Sequence, residues 1–217
     1  MDFRRQLGIF NPSEHRNIAV SLIGCGSVGS FTALALAKMG VPILEAWDMD
    51  IIEEHNLPNQ FFKNDQIGMK KTEALCKVLS EFSEAIVTPR EMVSIDSELC
   101  GSVIVSAVDS IEARKVIWEA VKKSDAMLYI DSRMGGRIFS VFTVNLDNKK
   151  SIKAYEKRLF AAGAPLNVPC TERTIIFNVL GVASVVCNQV TRYAADEETI
   201  PEMHFDYTTY ICATIGL

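Results

Sequence analysis

The chain has 217 residues, 48% of them hydrophobic and 23% charged, with a formal net charge of -5 and an isoelectric point near 5.3. That length suits a single domain, 1–217, with a full apolar core, and the acidic balance argues against a nucleic-acid or anionic-membrane partner. None of the six cysteines forms a C-x-x-C pair, no apolar run reaches transmembrane length, and MDFRRQLGIFNPSEH lacks an apolar signal core; a soluble protein of a reducing, cytoplasmic compartment is expected.

Residues 1–17 carry Arg4, Arg5 and Arg16 and read as a solvated arm. The run 18–23 is short and apolar, as a buried parallel strand requires. Gly24, Gly26 and Gly29 follow at G-x-G-x-x-G spacing, and an Ala/Leu-rich stretch, 27–39, predicts a helix stopped by Gly40 with Pro42 just beyond. A second apolar strand ends at Trp47 with Asp48 at its tip. Strand, glycine turn, helix, strand and acid together form the dinucleotide-binding arrangement. The glycines permit a tight turn and close backbone approach, the helix N-terminus offers N–H groups to phosphate, and an acid about 20 residues on accepts ribose hydroxyls. A glycine turn used only for packing is the plainer alternative.

A polar loop then carries Pro58, Phe61, Phe62 and Gly68, and loops of this length at the carboxyl edge of a parallel sheet are commonly functional. Residues 69–82 predict an amphipathic helix with Ala74, Leu75, Val78 and Leu79 inward; 86–93 and 103–108 predict strands, the second ending at Asp109; 111–122 predicts a helix. Another strand, 127–130, ends at Asp131. Asp109 alone could cap the helix after it, but Asp48, Asp109 and Asp131 on one edge favour a ligand site. Beyond Gly135, residues 137–146 predict an antiparallel strand, 147–172 a long charged loop, 174–193 a helix and 204–213 a closing strand. The expected fold is α/β: a Rossmann-like, doubly wound, mostly parallel sheet with a C-terminal antiparallel β-extension.

Residues 48–60, DMDIIEEHNLPNQ, resemble the D-x-D-x-V-x-x-x-N-L-x-R-Q signature of the ThiF/MoeB/HesA superfamily, the adenylating domains of ubiquitin-activating-type enzymes. Arg5-Gln6-Leu7 is similar to that family's R-Q-I arm, Gly68-x-x-Lys71 to its G-x-x-K, Asp109 with Arg114 to its D-N-x-x-x-R, and Pro169-Cys170-Thr171 to the C-T segment after its crossover loop. The resemblance implies an ATP-dependent adenylyltransferase that activates the C-terminal carboxylate of a ubiquitin-like or sulfur-carrier protein, or of a peptide, releasing pyrophosphate. It implies that Asp48 holds the ribose, that Gly24, Gly26 and Gly29 admit the phosphates, and that Asn56, Gln60 and Lys71 surround the triphosphate. Asp109 then holds Mg²⁺, Arg5 acts across a homodimer, and Cys170 serves as nucleophile.

Each assignment has a plainer counterpart. Asn56 and Gln60 can fix loop backbone, Lys71 can be a solvated helix residue with Lys70 in its role, and Cys170 can be packing. Two features depart from the family pattern. Asn59 stands where the family carries an arginine, and an amide supplies no charged fork to phosphate; Arg133 or Arg137 can replace that charge, or either can simply pair with Asp131. The paired C-x-x-C motifs that hold zinc in many relatives are missing from this sequence, so no structural zinc is expected. Asn59 motivates a second possibility, a nucleotide-binding regulatory or assembly subunit with weakened catalysis. A nicotinamide-dependent oxidoreductase explains the glycines but gives no role to the N-L-P-N-Q loop or to Lys71.

Overall fold

The computed structural model describes residues 1–160 and 175–216. In chain order the elements are β1 (Val20–Ile23), α1 (Ser27–Met39), β2 (Ile43–Trp47), α2 (Lys71–Phe82), β3 (Thr88–Arg90), β4 (Val103–Ser106), α3 (Ile111–Lys123), β5 (Leu128–Gly135), β6 (Ile138–Asn145), α4 (Lys149–Leu159), α5 (Ile176–Ala194), β7 (Glu202–Asp206) and β8 (Ile211–Ile215). The strands form an eight-stranded sheet in the order β3-β2-β1-β4-β5-β6-β7-β8. Neighbours from β3 to β5 pair in parallel, and those from β5 to β8 antiparallel. The chain winds one way from β1 to β3 and the other from β4 onwards, so β1 and β4 flank a switch point where strand ends diverge and a crevice opens.

Helices cover both faces. One apolar cluster packs Leu36 of α1, Leu75 and Leu79 of α2 and Val182 and Val186 of α5 over Val20, Leu22 and Val105. The other packs Ile117, Trp118 and Val121 of α3 and Tyr155 and Leu159 of α4 over Ile104, Tyr129 and Val144. A fully buried side chain such as Trp118 or Leu75 contributes about 1.5–3 kcal/mol through area removed from water. Alternate strand residues supply the two clusters, as a sheet buried on both faces requires.

The helix boundaries follow the local chemistry. Helix α1 stops where Gly40 adopts a left-handed φ of 80° and returns its N–H to the preceding turn. Helix α3 is capped by Ser110, whose hydroxyl accepts from Ala113 N; Asp109 is therefore not its cap. The buried faces of α2 and α5 hold the expected residues, Ala74, Leu75, Val78 and Leu79 in one and Val179, Val182, Val186 and Val190 in the other.

Four expectations need correction. The charged stretch after residue 147 is not all loop: α4 forms across Lys149–Leu159, because Asn148 accepts from Lys150 N and Ser151 N, and Ser151, Tyr155 and Leu159 recur on one buried face. The closing strand is a hairpin, β7 and β8. Asp206 accepts from Thr208 N at 2.7 Å and from Thr209 Oγ1 at 3.1 Å, turning the chain between them. The strand 86–93 contracts to Thr88–Arg90 at the sheet edge. Finally, Asp131 is no strand tip. β6 pairs antiparallel with all of β5 across a two-residue turn at Gly136, φ 59°, and this extends β5 through Asp131 to Gly135.

Candidate nucleotide site

A cavity of about 840 Å³ opens at the carboxyl ends of β1, β2 and β4, lined by the glycine turn, the loop after β2, the start of α2, the segment after β3 and the start of α3. Its floor is built by glycine. Gly24 has φ 91°, and a Cβ there would sit 2.6 Å from the Ala107 carbonyl oxygen; a Cβ on Gly29 would collide with the Gly24 carbonyl. Those two glycines are needed by the turn itself. Gly26 is different: an added Cβ would meet only Gln60 Nε2, at 3.9 Å. Its bare backbone at the start of α1 faces open space, where unpaired helix N–H groups favour an anion.

Asp48 shapes this floor. One carboxylate oxygen accepts from Cys25 N at 2.7 Å, the other from Asp50 N at 2.9 Å. Burial raises its pKa above the usual carboxylate range, opposed by the nearby Lys71 charge and by the two backbone donors. Cys25, buried beneath, has its thiol pushed well up by burial and by Asp48. Cys187 on α5 is pushed up to about 12 by burial alone. Both stay protonated at neutral pH, as packing residues do.

Lys71 is buried at the first position of α2, and its Nζ lies 2.7 Å from Asp50 Oδ2 at the cavity wall. Its backbone N–H also donates to Asp50 O at 2.9 Å, and the neighbouring Ile51–Lys70 bridge holds the two segments together. Lys70 points elsewhere, to Glu91, so the first of the two lysines is not the one at the wall. Asp50 had no firm role in the sequence; nothing local to either residue announces a pairing across 21 positions.

The N-L-P-N-Q loop divides its labour. Asn56 lines the cavity, yet its Oδ1 accepts from Glu53 N at 2.9 Å and closes the loop's helical turn. Gln60 also lines the cavity, and its Oε1 is buried, an acceptor with no donor among the described residues. Asn59 lines the wall beside it. Asp109 stands exposed at the mouth after β4.

Neither proposed substitute for the missing arginine reaches this space. On β5, Ser132 and Met134 line the cavity, so alternation sends Arg133 to the opposite face. There its Nε binds Asp131 Oδ2 at 2.8 Å and its guanidinium lies over Phe142. Arg137 is exposed in the β5–β6 turn and does not line the cavity. Arg114, near Asp109 in sequence, turns inward to Asp131 and the Val108 carbonyl. Asp131 is thus sealed within the sheet, and the edge carries two acids of the expected three, Asp48 and Asp109.

Arg5 is exposed on an arm held at the far end of α1, where Gln6 Nε2 donates to Met39 O and Phe3 packs against Gly40. About 20 Å of helix separates that end from the glycine turn. Cys170 lies outside the described residues.

Sequence reasoning missed the wall formed by Met92, Val93, Ser94 and Ile95 after β3, together with Trp47 and Val116. Only the tertiary fold carries that loop over the cavity. The described lining holds five carboxylates, Asp48, Asp50, Glu53, Glu91 and Asp109, against the cations Lys71 and Arg114, the latter already engaged. A polyphosphate in such surroundings requires added positive charge. One Mg²⁺ needs only one or two carboxylates, the rest of its shell being water and phosphate. Gly26, the unmet Gln60 oxygen, Lys71 and Asp109 fit that requirement. Among the described residues no cluster of three or more metal-ligating side chains occurs, and no helix is long and apolar enough to cross a membrane.

The strand order, the glycine turn and the acid at the tip of β2 define a Rossmann-like nucleotide fold. Residues 5–205 match the ThiF family, and the chain belongs to it. It is 29% identical over 139 residues to the ubiquitin-like modifier-activating enzyme 5 of Arabidopsis thaliana, a match covering 54% of this chain and 32% of that protein. With its Culex quinquefasciatus counterpart it shares 28% identity over 183 residues, 76% of this chain and 44% of the relative. The chain thus spans less than half the length of these curated relatives. Among solved structures, PaaA superposes with a TM-score of 0.74 at 17% identity, covering 94% of this chain and 65% of that one. E. coli MccB, crystallised with ATP, superposes at 0.67 and 19% identity over the same shares. These structures share the fold.

Proposed function

We propose that this chain is an ATP-dependent adenylyltransferase that activates a C-terminal carboxylate, of a ubiquitin-like or sulfur-carrier protein or of a peptide, as an acyl-adenylate. The observation that carries this is Lys71: a buried cation at a cavity wall, beside a glycine-floored helix N-terminus and opposite a strand-tip acid. The nicotinamide reading assigns that lysine no role. The curated relatives are named for activating a ubiquitin-like modifier, and MccB has been crystallised with MccA.

In this mechanism Asp48 accepts the ribose hydroxyls while keeping the glycine turn in shape through Cys25 N. Gly26 and the first turn of α1 approach the phosphates, and Gln60, whose Nε2 lies nearest Gly26, donates to them. Lys71 leaves Asp50 and neutralises charge as the substrate carboxylate attacks the α-phosphorus and pyrophosphate departs. Asp109 would hold Mg²⁺, which supplies positive charge to the departing pyrophosphate. Arg5, too far to act in its own cavity, would serve the cavity of a second copy in a homodimer. Residues 1–217 act as a single adenylation domain in a cytoplasmic setting.

Asn59 favours a second possibility, a nucleotide-binding subunit with weakened catalysis, since the family's phosphate arginine has no substitute among the described lining residues. ATP–pyrophosphate exchange with Mg²⁺ and carriers ending in Gly-Gly separates the two. Carrier-dependent exchange is expected, with Lys71→Ala and Asp109→Ala each reducing it by about a hundredfold or more. ATP binding without exchange for any carrier tried would move the assignment to the regulatory subunit.

A further inference from the structure

Behind the cavity lies a buried polar cluster that the reaction just described does not use. Asp131 on β5 is fully buried and receives three donors: Arg114 Nη1 from α3, Arg133 Nε from β5 at 2.8 Å, and the Tyr155 hydroxyl from α4 at 3.0 Å. Arg114 is itself buried, and its second terminal nitrogen, Nη2, donates to the Val108 carbonyl. Val108 directly precedes Asp109. The backbone N–H of Arg114 also returns to Ser110 O at 3.3 Å, and the Ser110 hydroxyl accepts from Ala113 N at 3.0 Å. The two residues flanking Asp109 are therefore both tied down, while its own side chain stays exposed at the cavity mouth.

We propose that Asp131, Arg114 and Tyr155 form a positioning relay: Asp131 and Tyr155 fix the Arg114 guanidinium, and Arg114 holds the Val108 carbonyl so that Asp109 presents its carboxylate to a metal–polyphosphate at the cavity mouth. The relay deepens the proposed adenylation and rests on it for its catalytic consequence, but its structural half stands by itself.

The geometry requires a guanidinium. One planar fork spans a carboxylate in the sheet and a carbonyl in the loop at once, which a lysine ammonium on a single stem does not reproduce. Tyr155 suits its place because burial and the Asp131 charge push its pKa well up, so its hydroxyl keeps the proton it donates. Its ring packs between Trp118 of α3 and Phe142 of β6, so α4 is locked to the same point. Without the relay, Val108 loses the side-chain donor to its carbonyl, and the β4–α3 loop keeps the Ala107 N–H bond to Ile23 O at 2.8 Å and its Ser110 contacts.

Two measurements on the full chain test the relay. Amide hydrogen exchange of the ligand-free protein is compared among native, Arg114→Lys and Tyr155→Phe. Faster exchange is expected at residues 107–110, by about tenfold for Arg114→Lys and less for Tyr155→Phe, with α1 and β1 unchanged. In pyrophosphate exchange, the Mg²⁺ concentration giving half-maximal rate is expected to rise several-fold in Arg114→Lys, while KM for the carrier stays at the native value. Native-like exchange at 107–110 in both variants would overturn the relay, as would an unchanged Mg²⁺ midpoint. If Arg114→Lys fails to fold, Tyr155→Phe, which removes a single hydroxyl, decides by the same readouts. A native protein without exchange activity would count against the adenylation assignment, while amide exchange would still decide whether Arg114 holds the loop.

Discussion

Asp48 and Asp131 each follow an apolar strand segment, and the parallel and antiparallel halves of the sheet treat them in opposite ways. β2 stops beside β1, whose chain turns away through Gly24, so Asp48 meets two backbone N–H groups and a cavity. β5 has β6 as a second neighbour, which carries the ladder four residues past Asp131 and leaves it among Arg114, Arg133 and Tyr155. The same residue type after the same kind of strand becomes a candidate ligand group in one place and an internal counter-ion in the other. What separates them is the neighbouring strand.

The sharpest test removes both carboxylates in turn. Asp131→Ala leaves the buried Arg114 and the partly buried Arg133 guanidinium groups without their shared partner and is expected to cost about 3–5 kcal/mol, whereas Asp48→Ala loses two backbone hydrogen bonds at a partly open site and costs about 1–2 kcal/mol. Denaturant unfolding measures both, and a smaller loss for Asp131→Ala would break the contrast. In nucleotide titrations the order reverses, with Asp48→Ala the weaker binder.

Within the glycine turn a similar division is expected. Gly29→Ala drives a methyl into the Gly24 carbonyl and should destabilise by about 2–3 kcal/mol. Gly26→Ala meets nothing closer than Gln60 Nε2, so the fold should keep most of its stability while ATP affinity falls. Equal losses of stability in the two variants would erase the distinction between a glycine that builds the turn and one that faces the ligand.

The smallest effect is with pH. Burial lifts Asp48 above its ordinary 3.8, so between the unfolded and folded values the folded chain binds the extra proton. Its contribution to stability is present below 3.8 and is lost as pH rises through the folded value, the reverse of a salt-bridged carboxylate. The stability of native protein relative to Asp48→Ala should therefore decline across that window, by about 1 kcal/mol or less. ATP binding should strengthen over the same window as the carboxylate forms. A midpoint at or below 3.8 in a carboxyl NMR titration would contradict both.

Much of the parallel half was legible because its signals are local. An apolar run of four or five residues, a glycine at a left-handed position and an inward stripe at 3.6 spacing each act within a turn or two of chain, so β1, α1, β2 and the faces of α2 and α5 follow from the residues alone. The same holds for Lys71 over Lys70 only in part: the motif named the residue, but the Asp50 partner that sets its resting place comes from a segment 21 positions away.

The antiparallel half was less legible for the opposite reason. Helix α4 hides in a charged stretch whose buried stripe is only Ser151, Tyr155 and Leu159, and the β7–β8 turn rests on one Asp206 carboxylate. Arg133 read as a cation beside a strand tip until β6 extended β5 and alternation turned it to the other face. By itself the sequence determined the family, the nucleotide fingerprint and most elements, since these depend on residue type and short spacing. Only the tertiary structure decided which acids meet the cavity, where Arg114 and Arg133 point and how Asp109 is held, because those depend on which strand lies beside which.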